Sequence, residues 1–237
     1  MLLRFNILNA VYLYVFLRRI IVMKKVVLIG DSIRMGYDKY VKDALEGSCE
    51  VYYPTENCRF AEYVLRYLYD WKKGGEWPSD IDLVHWNAGL WDVVDIDQEG
   101  PLTSIEYYAE AVARITRRIH RIFPSAKVVF ATSTAVREEG YPNPNFRRLN
   151  SEIERFNKAA IKALEGSGTV INDLYEITRD IPAECCSDMT HFNTHSGRAL
   201  LGKKVLSVIC GELGIELPDI AKKEFVPENY TEENIGR

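Results

Sequence analysis

Two short stretches near opposite ends of the chain hold residue types that work together in acyl transfer. Near the start, residues 26–29 form a continuous apolar run closed by Gly30-Asp31-Ser32. A hydroxyl at such a strand-to-helix turn lies beside exposed backbone N–H groups and the positive end of a helix dipole, which stabilise negative charge on a nearby oxygen. That setting suits a nucleophilic serine. Taken alone, the triplet reads as a helix cap, a common use of serine at this kind of turn. Asp188-Met189-Thr190-His191, far downstream, changes the balance. An aspartate three residues before a histidine can accept a hydrogen bond from the imidazole and fix its tautomer, leaving the other ring nitrogen free as a base. Such a pair needs a nucleophile, and Ser32 is available.

Something must bring these stretches together. Apolar runs at 26–29, 50–53, 81–86, 127–132 and 169–172 read as strands, the first of them buried on both faces as in a parallel sheet. Helical spacing fills the gaps. The clearest helix begins at Thr103, which forms a capping box with Glu106, and carries Ile105, Tyr108, Val112, Ile115, Ile119 and Ile122 on one face until Pro124. Further helices are expected over 149–164 and 196–213, with an irregular stretch at 141–148. Strands alternating with helices give right-handed crossovers, and so a three-layer α/β/α sandwich around a parallel sheet. Ligands of such sheets bind beyond the carboxyl ends of the strands. The segments there are Gly30-Asp31-Ser32, Glu56 to Arg59, Asn87-Ala88-Gly89, Ser133-Thr134 and the residues after Asp173.

With these blocks in order, residues 24–213 resemble the SGNH hydrolases, also called GDSL-type esterases and lipases. VVLIGDS is similar to the family's first block and DMTHFNTHSG to its last. The resemblance implies Ser32 as nucleophile, His191 as base and Asp188 as its acid partner. It also implies a flavodoxin-like sheet of five parallel strands in order 2-1-3-4-5, and ester or thioester hydrolysis with no metal and no organic cofactor. The middle blocks depart from the pattern. Where the family has a glycine whose N–H joins the oxyanion hole, this chain reads Pro54-Thr55-Glu56-Asn57-Cys58-Arg59. The backbone N–H of Asn57 or Cys58 is then expected to act beside that of Ser32. The family's Gly-x-Asn-Asp reads Gly89-Leu90-Trp91-Asp92, so Asn87, two residues before Gly89, is the expected replacement donor.

Asp31, Arg59, Trp86 and Trp91 lie on or near the rim and are the expected substrate contacts, with Arg137 close by; plain packing or solvation accounts for each of them equally well. The arginines favour a carboxylate or phosphate, and the tryptophans favour a sugar face. His195 reads as a helix-start residue, and His85 and His120 as structural ones. The expected activity is hydrolysis of a small acyl ester, including an O-acetylated carbohydrate, through an acyl-enzyme. One rival is a noncatalytic module binding a glycan or anion on the same scaffold. Another is a phosphate-binding, flavodoxin-like protein, which leaves the Asp188–His191 pair unexplained and has no Gly-x-Gly-x-x-Gly or Walker sequence.

Composition narrows the class further. The chain has 237 residues, room for one core, and its 47% hydrophobic and 27% charged content excludes disordered, collagen-like and polytopic membrane chains. A net charge of -4 without a long run of one sign gives no nucleic-acid footprint. The five cysteines show no C-x-x-C pair, so neither a disulfide framework nor a zinc site is expected. Residues 1–23 are apolar but interrupted by Arg4, Asn6, Asn9, Arg18 and Arg19, leaving a charge-free stretch too short to span a bilayer. Two readings stand: a mis-assigned start upstream of Met23, or an anchor at a membrane surface. The expected organisation is therefore this extension, a hydrolase domain over 24–216 and a polar tail over 217–237. The expected location is cytoplasmic, with anchoring or export through the extension as the alternative.

Overall fold

The computed structural model describes residues 23–139, 141–143 and 145–219. The apolar extension expected over 1–23, apart from Met23, and most of the tail expected over 217–237 lie outside the described residues.

In chain order the elements are β1 (Lys24–Ile29), α1 (Ser32–Ala44), β2 (Cys49–Tyr52), α2 (Ala61–Gly74), β3 (Leu83–Trp86), β4 (Asp95–Ile96), α3 (Ile105–Ile122), β5 (Lys127–Ala131), β6 (Phe146–Arg147), α4 (Asn150–Ala163), β7 (Val170–Asn172), α5 (Leu174–Thr178) and α6 (His195–Leu213). A 3-10 turn at Ala183–Cys185 precedes α6. Five strands form one parallel sheet in the order β2-β1-β3-β5-β7, which is 2-1-3-4-5 when its strands alone are counted. The reversal of direction at β1 opens a crevice at the carboxyl ends of β1 and β3, where this type of sheet binds its ligands.

The interior strands are largely apolar because helices cover both faces of the sheet. Val26 to Ile29 are fully buried, as are Leu83, Val84 and Val129 to Ala131. Trp86 belongs to this core: it is wholly buried and meets Phe130 edge-on at 4.8 Å between ring centroids. The substrate contact expected of Trp86 is therefore corrected. It is the last residue of β3, still inside the sheet, and its indole belongs to the buried core.

Helix α3 starts one residue later than the sequence indicates. Ser104 is the N-cap, its hydroxyl accepting the Tyr107 N–H, while Thr103 is tied to Asp92 by its backbone N–H and its hydroxyl. The expected Thr103–Glu106 capping box is not formed because Thr103 is held by the loop after β3. That loop is also fastened by a ribbon absent from the sequence reading, in which β4 pairs antiparallel with β6, Asp95 opposite Arg147. The two side chains make an ion pair at 3.2 Å. This ribbon ties Phe146 and Arg147 to the loop after β3.

Candidate active site

Asp31 creates the first part of the site. Its carboxylate caps α1 by accepting the Ile33 N–H at 3.0 Å, so Ser32 becomes the first helical residue. The Ser32 N–H has no carbonyl four residues back to bond, and it makes no hydrogen bond to the described residues. Gly30 is required immediately before this turn. A Cβ there would lie 1.9 Å from Asn87 Oδ1 and 2.7 Å from the Cβ of Arg34.

The second part comes from the loop ahead of α6. Asp188 Oδ1 accepts the backbone N–H groups of Thr190 and His191, each at 2.7 Å, which folds the loop tightly around the carboxylate. Its other oxygen, Oδ2, lies 2.7 Å from His191 Nδ1. Phe192 is buried and anchors the loop, and Thr194 caps α6 by accepting the Gly197 N–H. Helices α1 and α6 lie side by side. A Cβ on Gly202 would come within 2.2 Å of the Tyr40 ring, so only glycine permits that approach.

The two N-terminal ends thereby meet. His191 Nε2 is 2.8 Å from Ser32 Oγ. With Nδ1 bonded to a carboxylate, Nε2 is the ring nitrogen left to take a proton from the hydroxyl. Burial alone would raise the Asp188 carboxyl, but the His191 ring and the two backbone N–H donors outweigh it and hold the group well below the usual carboxylate range. The arrangement can therefore deprotonate a serine and stabilise the imidazolium that results.

The second-block loop is fixed by a residue the sequence reading passed over. Arg34 is buried in α1 and pairs with Asp38, while its guanidinium donates to the carbonyls of Pro54 at 2.9 Å and Glu56 at 2.6 Å. Its position two residues after Ser32, on the inward side of a helix, is the signal that could have identified it. Within the loop, the Cys58 N–H donates to the Gly30 carbonyl at 3.1 Å. This corrects Cys58 as an oxyanion donor, since its N–H already serves to pin the loop to β1. Asn57 retains its backbone N–H, which makes no hydrogen bond to the described residues, and its side-chain oxygen accepts the Arg59 N–H at 2.9 Å. Arg59 is held at a φ of 48°, in the left-handed region that favours glycine. Its exposed guanidinium lies over the Tyr63 ring.

Asn87 also departs from its expected role. Its Nδ2 donates to Asp31 Oδ1 at 3.0 Å and its side chain is buried against Gly30. The amide thus braces the capping carboxylate beneath Ser32 rather than presenting itself as an oxyanion donor. Asp31, expected at the substrate surface, is wholly buried. Burial raises its pKa against the opposing pull of Asn87 and the Ile33 N–H. Trp91 remains at the rim, half-buried and edge-on to Phe60 at 5.8 Å. Its neighbour Asp92 is buried and accepts the Ala61 N–H, capping α2, whose own N-cap residue Phe60 makes no side-chain cap. His85 is fully buried in β3 and accepts from Asn172 at 3.0 Å, and burial pushes its pKa down to about 3. His195 is the first residue of α6 and His120 lies in α3.

No protein-family model and no curated protein matches this chain. Solved structures do. The lipase/acylhydrolase from Enterococcus faecalis is 22% identical with a TM-score of 0.62, the match covering 83% of this chain and 100% of that one. A GDSL-like lipase from Bacteroides thetaiotaomicron is 15% identical, with a TM-score of 0.60 over 78% of this chain and 87% of its own. An acetylxylan esterase from Geobacillus stearothermophilus is 14% identical, with a TM-score of 0.58 over 82% and 96%. The likeness is one of architecture: this parallel sheet flanked by helices is the SGNH/GDSL hydrolase fold.

Proposed function

We propose that the protein is a serine esterase of the SGNH hydrolase type. The observation that carries the reading is the continuous hydrogen-bonded chain from Ser32 Oγ through the His191 ring to Asp188. As Ser32 Oγ attacks the acyl carbonyl, its proton passes to His191 Nε2, and Asp188 stabilises the imidazolium. The tetrahedral oxyanion accepts hydrogen bonds from the N–H groups of Ser32 and Asn57. Collapse of this intermediate breaks the ester C–O bond, the imidazolium protonates the departing alcohol, and Ser32 is left acylated. Water then attacks the acyl-enzyme as His191 removes its proton, and the acid leaves with Ser32 restored.

The fold shared with a lipase and an acetylxylan esterase supports ester hydrolysis as the reaction class. Trp91 at the rim favours a small acyl ester on a carbohydrate. The test is incubation with p-nitrophenyl acetate and with a fluorophosphonate probe, repeated on Ser32→Ala. Ester turnover and labelling that both vanish in the variant are the expected result. A folded wild-type protein that neither turns over the ester nor takes up the probe would favour a noncatalytic binding module.

A further inference from the structure

Arg148 is a buried cation that pairs with no carboxylate among the described residues. It directly follows β6 and is only 6% exposed. Its Nε donates to the Leu90 carbonyl at 2.5 Å, and its guanidinium carbon lies 5.6 Å from the Phe146 ring centre. The terminal nitrogens Nη1 and Nη2 make no hydrogen bond to the described residues. Neither terminal nitrogen is among the buried atoms left without a partner, so the guanidinium is not an orphaned buried charge; held by one protein acceptor, it keeps donors for an incoming anion. With Nε engaged, the remaining Nη1–Nη2 edge matches the two oxygens of a carboxylate.

The position ties this edge to the site. Leu90 lies in the loop after β3, between Gly89 and Trp91, at the carboxyl end of the sheet. The charge of Arg148 is felt at Asp31, the residue immediately before Ser32, where it favours the ionised form. Asp31 makes no ion pair with it within the described residues: Asp31 Oδ1 is bonded to Asn87 and to the Ile33 N–H, while Oδ2 accepts no hydrogen bond. The segment that ends in Arg148 also touches the histidine loop: the Arg137 N–H donates to the Met189 carbonyl at 2.8 Å, and the Tyr141 hydroxyl is 3.3 Å from Thr190 Oγ1. Arg137 and Tyr141, upstream of Arg148, thus lie against the histidine loop.

We propose that Arg148 is a specificity residue whose Nη1–Nη2 edge binds a carboxylate of the substrate, so that the ester cleaved at Ser32 is an anionic one. The proposal rests on the esterase reading above and narrows its substrate class.

The experiment compares each of two carboxylate esters with its uncharged methyl ester: mono-4-nitrophenyl succinate, charged on the acyl side, and 4-acetoxybenzoate, charged on the alcohol side. At least one is expected to exceed its methyl ester by about tenfold or more in kcat/KM, the increment of one charge-assisted bidentate contact, and chiefly through KM. Arg148→Gln should bring the paired values within about twofold of each other, and Arg148→Lys should keep part of the preference. A merely structural arginine would lower both members of a pair together and leave their ratio intact, which would overturn the proposal. The wild-type comparison stands even if Arg148→Gln fails to fold: equal kcat/KM for charged and uncharged esters in a protein labelled at Ser32 overturns the Arg148 assignment alone. Absence of labelling at Ser32 overturns the esterase reading and this inference with it.

Discussion

Ser32 and His191 are separated by 159 positions in the chain, yet Ser32 Oγ and His191 Nε2 are 2.8 Å apart. The contact follows from how two helices pack. Ser32 opens α1, His191 lies a few residues before α6, and Gly202 lets α6 approach the Tyr40 ring on α1 closely enough to bring their starts together.

If the pair acts as one unit, Ser32→Ala and His191→Gln should each lower kcat/KM for p-nitrophenyl acetate by about 10⁴-fold or more, and the double variant should be little worse than the poorer single one. Both side chains sit at the surface end of the site, so thermal unfolding of the variants should remain close to wild type. Additive losses in the double variant would mean that the two residues contribute separately.

Asp188→Asn tests the orienting carboxylate. Asparagine can still accept the Thr190 and His191 backbone N–H groups, so the loop should keep its shape while the ring loses its anionic partner. Turnover should fall by about 10²–10⁴-fold, with a modest loss of stability at neutral pH because the ion pair with the ring is half-exposed. The sign of the pH effect is fixed by the depressed pKa. The stabilisation from ionised Asp188 is fully present above the unfolded value, near 3.8, and is lost only as pH falls below it toward the folded value. In an acid titration followed by circular dichroism, wild type should therefore be the more stable protein at neutral pH, and its gap to Asp188→Asn should close as pH falls below about 4.

The sheet and the Ser32, His191 and Asp188 side chains of the candidate site are legible in the sequence because each leaves a local mark. Strand burial on two faces produces an unbroken apolar run, as at Val26 to Ile29, and a tight Asp-x-x-His turn places its carboxylate beside its own imidazole. What was not legible depends on contacts made at long range. Arg34 and Arg148 donate to carbonyls of distant loops and Asp92 accepts the Ala61 N–H, and no periodicity marks a side chain with such a partner. The β4–β6 ribbon has two residues per strand, too few for an alternating pattern. Asn87 was placed at the correct strand end but with the wrong partner, since its direction is set by Asp31 and by the missing side chain of Gly30.

Gly30→Ala should therefore damage the site from below. The added methyl would overlap Asn87 Oδ1 and crowd Arg34, forcing β1 and the Asn87 amide apart. A loss of about 1–3 kcal/mol in stability is expected from overpacking, with a large fall in ester turnover as Asp31 loses its brace. Adding Asn87→Ala removes the overlapping oxygen and should recover part of the stability, a non-additivity of about 0.5–3 kcal/mol by double-mutant cycle. Simple additivity would place the strain elsewhere.

Asp92 gives the opposite pH dependence to Asp188. Its carboxyl is buried beneath the third-block loop, where desolvation outweighs the Ala61 N–H and Thr103 donors and raises its pKa to about 7. A raised carboxyl pKa means that the folded protein binds a proton that the unfolded chain releases near 3.8, so stability should decline as pH rises from about 4 to about 7. The full shift corresponds to a cost on the order of 4 kcal/mol at alkaline pH. Asp92→Asn retains an acceptor for the Ala61 N–H and cannot ionise. Its melting temperature relative to wild type should therefore rise steadily between pH 5 and pH 8, measured by differential scanning fluorimetry in buffers of equal ionic strength. A gap that stays constant across that range would show that Asp92 keeps its charge in the folded protein, and that its link to α2 is an ordinary ionised helix cap.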